Sequence, residues 1–514
     1  MRARVSLLAL AGALWAGPAM AQGCADLAGD QPGKVRVTAA AQVAVGQDVD
    51  ALPETRGSYK PVPVTMPFCR VQGVIEGNIG FELWLPAGDR WNGRLLGAGV
   101  GGDAGVFNFA DLSRRVSEGF AAVTTDSGHK ISQKRWMADL KARVDYEHRA
   151  THLATLAAKA LAARFYAKPV MHSYFLGCSG GGRQGLKEME NYPGDYDGIV
   201  AGAPGPYMPL ISVRMMWFSL MQKHDPAGAL TDADWALYEK KAIAACDGKD
   251  GVKDGIVENP LACTFRPAIL ACKQGQGSDC LAVPKVKMME AIVAPMRDEK
   301  GRPMDRGLLP GVRTRPGPPS PLLAAMWGDA VYDDPNWNED TFQRTADLNK
   351  VNAVMPELRA DKVTIAPFIA RGGKAIIYQG WADPSVIAGP TVDFYRRLEA
   401  AQGGAAKLSQ SVKLMMVPGM YHCRGGPGVD QFGGSGQINA PGDASRDILW
   451  AVIDWVEKGQ APQTLTGARI VDGKPVFTRA ICPFPKSARY DGKGEDSDAR
   501  SYTCEADPVL ASYR

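Results

Sequence analysis

The stretch YFLGCSGGGRQG, Tyr174–Gly185, decides how the rest of the chain is interpreted. It contains a Gly-x-Ser-x-Gly frame centred on Ser179, ends an apolar run that begins at Met171, and opens a segment that can start a helix. A strand, a tight glycine-rich turn and a helix in this order expose a serine hydroxyl at the edge of a sheet. The frame also occurs in ordinary glycine-rich turns, so its meaning depends on the surrounding sequence.

Apolar segments that are bounded by Gly or Pro recur on both sides of this stretch. They are GRLLGAG from Gly93, FAAVTTDSG from Phe120, DGIVAGAP from Asp197, GGKAIIYQG from Gly372 and VKLMMVPG from Val412. Continuous apolar runs of this kind are typical of strands that are buried on both faces. Apolar residues at helical spacing in 151–165 and 445–459 predict helices between the strands. This alternation predicts an α/β fold with a mostly parallel sheet.

The rhythm of strands and helices is lost from about Tyr207 to Arg371, where four of the cysteines and the proline-rich run RTRPGPPSP occur. We interpret this part as an inserted lid domain that covers the carboxyl ends of the strands, where α/β proteins bind ligands. The predicted organisation is a signal peptide at 1–21, an α/β-hydrolase core in two parts at 22–206 and 372–514, and the lid domain at 207–371.

The N-terminal residues have the pattern of a signal peptide. Two arginines precede an apolar run that ends in Ala19-Met20-Ala21, which is a small-x-small cleavage pattern. The run is too short to span a bilayer, and the residues before Cys24 fit a lipid-attachment signal poorly. We therefore expect a mature chain that begins at Gln22 and is exported to the periplasm or the medium.

Charge and cysteine content limit the possible partners. The chain has 59 Lys and Arg residues against 55 Asp and Glu residues, and this balance favours neither nucleic acid nor a membrane surface as a partner. Ten cysteines are an even number, which predicts full disulfide pairing in an exported chain and argues against a free catalytic cysteine at Cys178. The sequence makes no prediction of the oligomeric state.

A serine nucleophile needs a base that is oriented by a carboxylate, and in this fold the chain order is Ser, then Asp or Glu, then His. Asp383 in YQGWADPSV and His422 in VPGMYHCRGGPG each follow a predicted strand, so they complete a candidate triad with Ser179. The alternatives are a turn-forming aspartate and an ordinary loop histidine. Because Cys178 and Cys423 adjoin the serine and the histidine, a bridge between them would hold nucleophile beside base.

Backbone N–H groups are needed to stabilise the negative charge that develops on a substrate carbonyl oxygen. Gly180, which follows the serine, is one candidate donor, and Gly101 or Gly102 in GAGVGGDAG is the other. The alternative for this glycine-rich loop is a nucleotide-binding turn. The loop lacks the full dinucleotide-binding spacing and a suitably placed acidic residue downstream, which argues against that alternative.

A second cluster of polar residues lies in CDGKDGVKDGIVENPLAC, between Cys246 and Cys263, which are expected to clip it. Three aspartates alternate with glycines there, and two backbone carbonyls can add further oxygen ligands, which suits calcium. The candidate ligands are Asp247, Asp250, Val252, Asp254 and Ile256. The spacing is not that of an EF-hand, although Glu258 falls at the closing position. A solvated Asp/Gly turn is the alternative.

The motifs GCSGGGRQGL, GWADPSV, PGMYHC and CDGKDGVKDGI together resemble the tannase and feruloyl esterase family, which also includes hydrolases of mono(2-hydroxyethyl) terephthalate. The resemblance implies an α/β-hydrolase core with a lid, the triad Ser179, Asp383 and His422, and a structural calcium ion on the lid ligands named above. It also implies five bridges. These are Cys24 with Cys69, Cys178 with Cys423, Cys246 with Cys263, Cys272 with Cys280, and Cys482 with Cys504.

The sequence therefore predicts an exported serine carboxylesterase that cleaves esters of aromatic, hydroxycinnamic-type acids through an acyl-enzyme. Gallate esters and terephthalate monoesters are alternatives. The terephthalate-monoester enzymes of the family have an aromatic residue three positions after the aspartate, whereas this chain has Val386, which leaves room for a substituted ring and so favours hydroxycinnamates. The lid aromatics are expected either to roof the strand ends or to form the lid's own core. They are Trp327, Tyr332, Trp337 and Phe342. A secreted binding protein and a peptidase are further alternatives.

Overall fold

The computed structural model describes residues 23–47, 59–273, 279–314 and 317–513, so the predicted signal peptide lies outside the described residues. The strands are β1 Gly29–Gln31, β2 Val35–Val43, β3 Phe68–Ile75, β4 Ile79–Pro86, β5 Arg94–Ala98, β6 Ala121–Thr125, β7 His172–Cys178, β8 Gly198–Gly202, β9 Lys374–Gly380, β10 Val412–Val417, β11 Leu465–Val471, β12 Lys474–Ile481, β13 Lys486–Tyr490 and β14 Tyr502–Ala506.

The α-helices are α1 Phe109–Val116, α2 Leu140–Val144, α3 Ala150–Tyr166, α4 Gly180–Asn191, α5 Met208–His224, α6 Asp232–Cys246, α7 Val283–Val293, α8 Pro321–Ala325, α9 Arg344–Val354, α10 Ala366–Ala370, α11 Ala388–Ala401, α12 Ala405–Leu408, α13 Ile448–Lys458 and α14 Pro508–Ser512. Short 3₁₀ and π-helical turns join several of them, including the π-helical turn Asp145–Arg149 between α2 and α3.

Ten of these strands form one sheet in the order β1-β2-β3-β4-β6-β5-β7-β8-β9-β10. The six strands from β6 to β10 in this order pair in parallel, and they are the six that the apolar runs predict. The strands β1 to β4 pair antiparallel at one side of the sheet, and β4 joins β6 antiparallel. The predicted α/β fold is confirmed, and the sheet is mixed.

Helices cover both faces of the sheet, which explains why the parallel strands are apolar throughout. Side chains of α1 and α13 pack on one face against residues such as Leu176 and Val200. Side chains of α3, α4 and α11 pack on the other face, where Phe175, Ile199 and Ile377 lie. Burial on both faces leaves the strand ends and their loops as the places where polar chemistry can be exposed.

The helices α5 to α10 lie between β8 and β9 along the chain. The described part of this segment contributes no strand to the large sheet. Their apolar side chains form two clusters, one around Trp327 and one around Trp235. After β10 the chain forms two small antiparallel sheets, β11–β12 and β13–β14. Across the described ranges, no helix is both long enough and apolar enough to cross a bilayer.

All ten cysteines are paired, in the five pairs that the family resemblance implies. The bridges are Cys24–Cys69, Cys178–Cys423, Cys246–Cys263, Cys272–Cys280 and Cys482–Cys504. Cys178–Cys423 spans 245 residues, whereas Cys272–Cys280 spans only 8. A bridge that spans more of the chain restricts the unfolded chain more, so these two bridges differ in their expected contribution to stability.

Candidate active site

Ser179 lies at the turn between β7 and α4, as the glycine frame predicts. Its backbone has φ 62° and ψ −126°, a conformation that L-residues rarely adopt. The turn is held by two hydrogen bonds: the Ser179 N–H donates to the Gly202 carbonyl and the Arg183 N–H donates to the Ser179 carbonyl, both at 2.9 Å. The serine is therefore fixed between the end of β8 and the first turn of α4.

Glycines in and directly after the frame allow α4 to approach the sheet closely. A Cβ on Gly182 would lie 2.1 Å from the Gly202 carbonyl oxygen, and a Cβ on Gly177 would lie 2.4 Å from the Gly181 carbonyl oxygen. Both distances are far below van der Waals contact with backbone atoms, which cannot move without shifting a strand or the helix. The glycines are thus required by packing around the serine, in addition to the turn itself.

Ser179, His422 and Asp383 form a continuous chain of hydrogen bonds. The Ser179 hydroxyl lies 2.9 Å from Nε2 of His422, and Nδ1 of His422 lies 2.8 Å from Oδ2 of Asp383. An Nδ1–H that donates to the carboxylate leaves Nε2 free to accept the serine proton, which is the arrangement that general-base activation requires. The structure thus brings together the three residues of the candidate triad.

The Asp383 carboxylate is buried but has several donors. Its Oδ1 accepts the N–H groups of Ser385 at 2.8 Å and Val386 at 2.9 Å, and its Oδ2 accepts the Gln379 side-chain amide at 3.0 Å. These hydrogen bonds offset the cost of burying the polar oxygens. The neighbouring groups therefore hold the carboxylate in place beside the imidazole.

The bridge Cys178–Cys423 joins the residue before the serine to the residue after the histidine, with a Cα–Cα distance of 6.0 Å. Cys423 itself has φ 63°, so the chain turns sharply directly after His422. Because β7 and β10 are not neighbours in the sheet, the bridge is the covalent link that holds the loops after these two strands together. It therefore restrains the distance between nucleophile and base.

The backbone around the serine offers the predicted donors, and one of them is in use. Gly180 opens α4 directly after Ser179, where helix N–H groups have no partner within the helix. A Cβ on Gly101 would lie 3.2 Å from the Ser179 Cβ, so this loop adjoins the nucleophile. The Gly101 N–H donates to the Tyr59 hydroxyl at 2.7 Å. A substrate oxygen that uses this N–H has to displace the hydroxyl.

The triad opens into a cavity of about 900 Å³. Ser179 and His422 line it together with side chains of α5 and of the segment around α8. The apolar side chains among these are Met208, Met215, Phe218, Leu322 and Leu323. Arg424 is exposed at the cavity, where its Nη1 donates to the Gly436 carbonyl at 3.1 Å.

The lid aromatics pack in an apolar cluster, but this cluster is not the lid's alone. Trp327 packs edge-on against Phe342, and Tyr332 stacks on Trp337, within a cluster that α5, α8 and α9 share with the loops after β5 and β6. None of these rings is among the described residues that line the cavity. Large rings gain most by full burial, and a sequence does not indicate which rings are buried between segments that are distant along the chain.

The predicted calcium loop forms a turn closed by its own carboxylates. Asp247 accepts the N–H groups of Asp254 and Gly255, at 3.2 and 3.0 Å. Asp250 and Asp254 each accept the N–H group two residues further along, and the Arg479 guanidinium from β12 lies 2.5 Å from Asp254 and 3.4 Å from Asp250. The carboxylate oxygens of the three aspartates lie further from one another than the ligand atoms of a second group, which is described below.

Buried acids around this loop outnumber the cation that faces them. Burial raises the pKa values of Asp250 and Asp254, with further contributions from the neighbouring carboxylates, and it raises the pKa of Glu258 to about 7. The Glu258 Oε2 is buried without a hydrogen-bond partner among the described residues. The guanidinium of Arg479 thus acts on three carboxyl groups, those of Asp250, Asp254 and Glu258. The oxygen donors and the excess of negative charge both fit a calcium ion.

A serine–histidine–aspartate chain at the carboxyl edge of a parallel sheet with helices on both faces is the arrangement of the α/β-hydrolases. The family described as tannase and feruloyl esterase matches residues 64–309 and 326–505 of the chain. The chain belongs to this family and is a carboxylic-ester hydrolase. The resemblance seen in the four motifs and the α/β-hydrolase fold are both confirmed.

Individual relatives cover most of the chain. A probable feruloyl esterase B-2 of Aspergillus flavus is 31% identical over 447 residues, which are 82% of this chain and 84% of that protein. The crystal structure of an esterase from Aspergillus oryzae has a TM-score of 0.86 at 29% identity and covers 94% of this chain and 99% of that one. That of feruloyl esterase B from Aspergillus oryzae has a TM-score of 0.85 at 27% identity, with 93% and 98% covered.

Replacing both Cys178 and Cys423 by Ser is expected to lower the melting temperature and kcat together. The bridge restricts a long stretch of the unfolded chain, worth roughly 5 kcal/mol on the chain-entropy model, and it positions the base. The matched control is Cys272→Ser with Cys280→Ser, which removes a short bridge in the α6–α7 segment and should leave kcat unchanged. Unchanged kcat in the Cys178/Cys423 variant would contradict the positioning role.

Tyr59→Phe is expected to raise kcat/KM about two- to tenfold, because removing the hydroxyl frees the Gly101 N–H and a hydrogen bond is worth about 0.5–1.5 kcal/mol net. Tyr146→Phe is the control, since its hydroxyl lines the same cavity but donates to the Gly102 carbonyl at 2.9 Å. Steady-state kinetics with one small ester measure the difference. A fall in kcat/KM for Tyr59→Phe would mean that the hydroxyl itself assists the reaction.

Proposed function

We propose that the protein is an exported serine carboxylesterase that hydrolyses esters of aromatic, hydroxycinnamic-type acids through an acyl-enzyme. The observation that carries the proposal is the hydrogen-bonded chain from Asp383 through His422 to Ser179, which lines a large cavity. Five disulfides and the N-terminal signal pattern support export.

The triad geometry supports a two-step reaction. Ser179 Oγ attacks the ester carbonyl carbon while His422 Nε2 takes the hydroxyl proton, and the protonated imidazole then gives that proton to the departing alcohol oxygen. In the second step His422 removes a proton from water and the hydroxide oxygen attacks the acyl carbon. The bond between that carbon and Ser179 Oγ then breaks, Oγ takes the proton from His422, and the carboxylic acid leaves. Asp383 keeps the proton on Nδ1 and stabilises the positive imidazolium in both steps.

The negative charge on the carbonyl oxygen is stabilised by N–H groups next to the serine. The Gly180 N–H lies at the start of α4, where the helix dipole also favours negative charge. The Gly101 N–H is the second donor once the Tyr59 hydroxyl has moved away. Gly102, the other candidate in this loop, accepts a hydrogen bond from Tyr146 through its carbonyl.

The substrate class is supported by the cavity walls and by the relatives. Phe218, Met208 and Met215 line the same cavity as the triad, and aromatic and thioether side chains favour a planar ring. Val386 is buried two residues beyond Pro384 at the cavity edge, so no aromatic side chain narrows the cavity there. Relatives named probable feruloyl esterases cover most of the chain, which favours a hydroxycinnamate over a gallate.

Arg424 favours monoesters of aromatic dicarboxylic acids, such as terephthalate, as the second candidate. Its guanidinium lies at the cavity next to Cys423, and its hydrogen bond goes to a carbonyl, so it remains able to pair with a carboxylate.

The segment 207–371 serves as the lid domain over the two core parts 22–206 and 372–514, because α5 and the α8 region line the cavity together with the triad.

A calcium ion is the proposed cofactor, held by the carboxylates of Asp247, Asp250 and Asp254 and the carbonyls of Val252 and Ile256. When bound, the ion supplies charge compensation for the buried acids and takes no part in ester cleavage. Arg479 and Glu258 adjoin these ligands from β12 and from the loop's own end, so the ion would also tie the lid to the C-terminal sheets.

The decisive experiment compares kcat/KM for methyl ferulate, methyl gallate, a terephthalate monoester and a long-chain alkanoate ester. We expect methyl ferulate to be the preferred substrate. We also expect Ser179→Ala to remain folded with kcat reduced by about 10⁴ or more, because nucleophile and base act as a unit. Arg424→Gln should lower only the terephthalate rate. A tenfold preference for the alkanoate would overturn the aromatic class, and a tenth of the rate in Ser179→Ala would overturn the nucleophile.

Removal of calcium is expected to lower the melting temperature while the rate at low temperature persists, because an ion that binds only the folded state stabilises it. Asp254→Asn should remove this response, and adding back calcium after chelation should restore it in the unaltered chain alone. Differential scanning fluorimetry and an ester assay measure the two properties. Loss of activity on chelation without loss of folding would point to a catalytic metal instead.

A further inference from the structure

A group of acidic and histidine side chains lies behind the nucleophile helix. His152 is in the first turn of α3, Glu188 is in the last turns of α4, and Asp195 precedes β8. One ligand atom from each lies within 4.8 Å of the other two, and this is the group of such side chains that the described ranges contain. None of the three residues lines the active-site cavity, so the triad chemistry does not account for them.

Glu188 is the unexplained member of this group. Its side chain is buried, with a relative exposure of 1%, and neither carboxylate oxygen has a hydrogen-bond partner among the described residues. It lies against the carboxylate of Asp195, which is 6% exposed, and the two carboxyl groups are close enough to share a proton. Two buried carboxylates side by side need a positive charge between them, either a shared proton or a cation.

The histidine provides a nitrogen ligand in a fixed orientation. Its Nδ1 lies 2.6 Å from the Asp195 Oδ2, and its ring stacks on Tyr192 with the centroids 3.8 Å apart and the planes 4° from parallel. The His152 side chain has a relative exposure of 23%, which leaves a route from solvent to the buried carboxylates. The nearest lysine, Lys159, donates to the Asp195 backbone carbonyl, so its ammonium is directed to that oxygen.

We propose that His152, Glu188 and Asp195 bind a divalent transition-metal ion, Zn²⁺ or Mn²⁺, at a structural site separate from the calcium loop. The group offers one imidazole nitrogen and up to four carboxylate oxygens. Calcium and magnesium prefer ligands made only of oxygen, whereas an imidazole together with carboxylates suits zinc and manganese. The ion supplies the partner that both oxygens of Glu188 lack.

The site connects three elements that position the nucleophile. Because α4 begins next to Ser179, an ion at Glu188 ties the far end of this helix to α3 and to the start of β8. Nine helical residues correspond to about 13 Å at 1.5 Å per residue, so the ion lies too far from the serine for a direct part in ester cleavage. It is therefore expected to stabilise the fold and to leave kcat unchanged.

The test uses the full-length protein, stripped of metals by a chelator, desalted and resupplied with calcium. Zn²⁺, Mn²⁺ and Mg²⁺ are then added separately, and retained metal is measured by plasma mass spectrometry alongside the melting temperature. We expect one equivalent of zinc or manganese to be retained with a raised melting temperature, but no magnesium. Glu188→Gln, which keeps the shape of the side chain, should abolish retention, whereas the calcium-loop variant Asp254→Asn should keep it.

Two outcomes would overturn the proposal. The first concerns retention: no zinc or manganese is retained, or Glu188→Gln retains as much as the unaltered protein. The second concerns stability: Glu188→Gln is as stable without metal as the metal-treated original, because the amide would then replace a proton shared with Asp195. If Glu188→Gln does not fold, His152→Asn decides, since it removes the nitrogen ligand at a partly exposed position and must lower retention. Ester hydrolysis by Ser179 is unaffected by either result.

Discussion

The placement of the active site depends on one constraint: Cys178 and Cys423 are bonded to each other, and each adjoins a residue of the triad. The chain reverses sharply at both points, with φ 62° at Ser179 and φ 63° at Cys423. These conformations are costly for L-residues, so they persist only where the surroundings determine them. Three features fix these conformations here. They are the disulfide bond, the close packing of glycines under α4, and the hydrogen bond from the Ser179 N–H to the Gly202 carbonyl.

The parallel pairing of the strands positions the other components of the active site. The strands β7, β8, β9 and β10 pair in parallel, with Gly202 opposite Tyr378 and Tyr378 opposite Met415, so their carboxyl ends share one edge. Each end delivers one component: Ser179 after β7, the Gly202 carbonyl at the end of β8, Asp383 after β9 and His422 after β10. A rigid sheet thus sets distances that flexible loops alone would not hold.

The sequence could predict these components because each is a local pattern: an apolar strand followed at once by a polar residue or a glycine frame. All six parallel strands and the triad positions follow from that pattern. The strands β1 to β4 do not, because polar residues interrupt their apolar ones: Arg70 and Gln72 in β3 both donate to Glu82 in β4, a pairing that is not visible in the sequence. Tyr59 and the group around Glu188 were missed, because their partners are distant in sequence. The burial of the lid aromatics against the loops after β5 and β6, away from the cavity lining, was also missed, because lid packing is decided by contacts between remote segments.

Buried acids show how differently the fold treats its charges. Asp383 receives three N–H donors in addition to the imidazole, so its carboxylate is held in place by groups of the protein alone. Glu258 and Glu188 are buried too, yet one carboxylate oxygen of Glu258 and both of Glu188 have no donor among the residues described. A buried, unpaired carboxylate costs several kcal/mol, so a fold that keeps such groups needs either protons or cations beside them. The Asp383 carboxylate therefore depends on the backbone and a side-chain amide, whereas these other two mark the places where bound cations would contribute to stability.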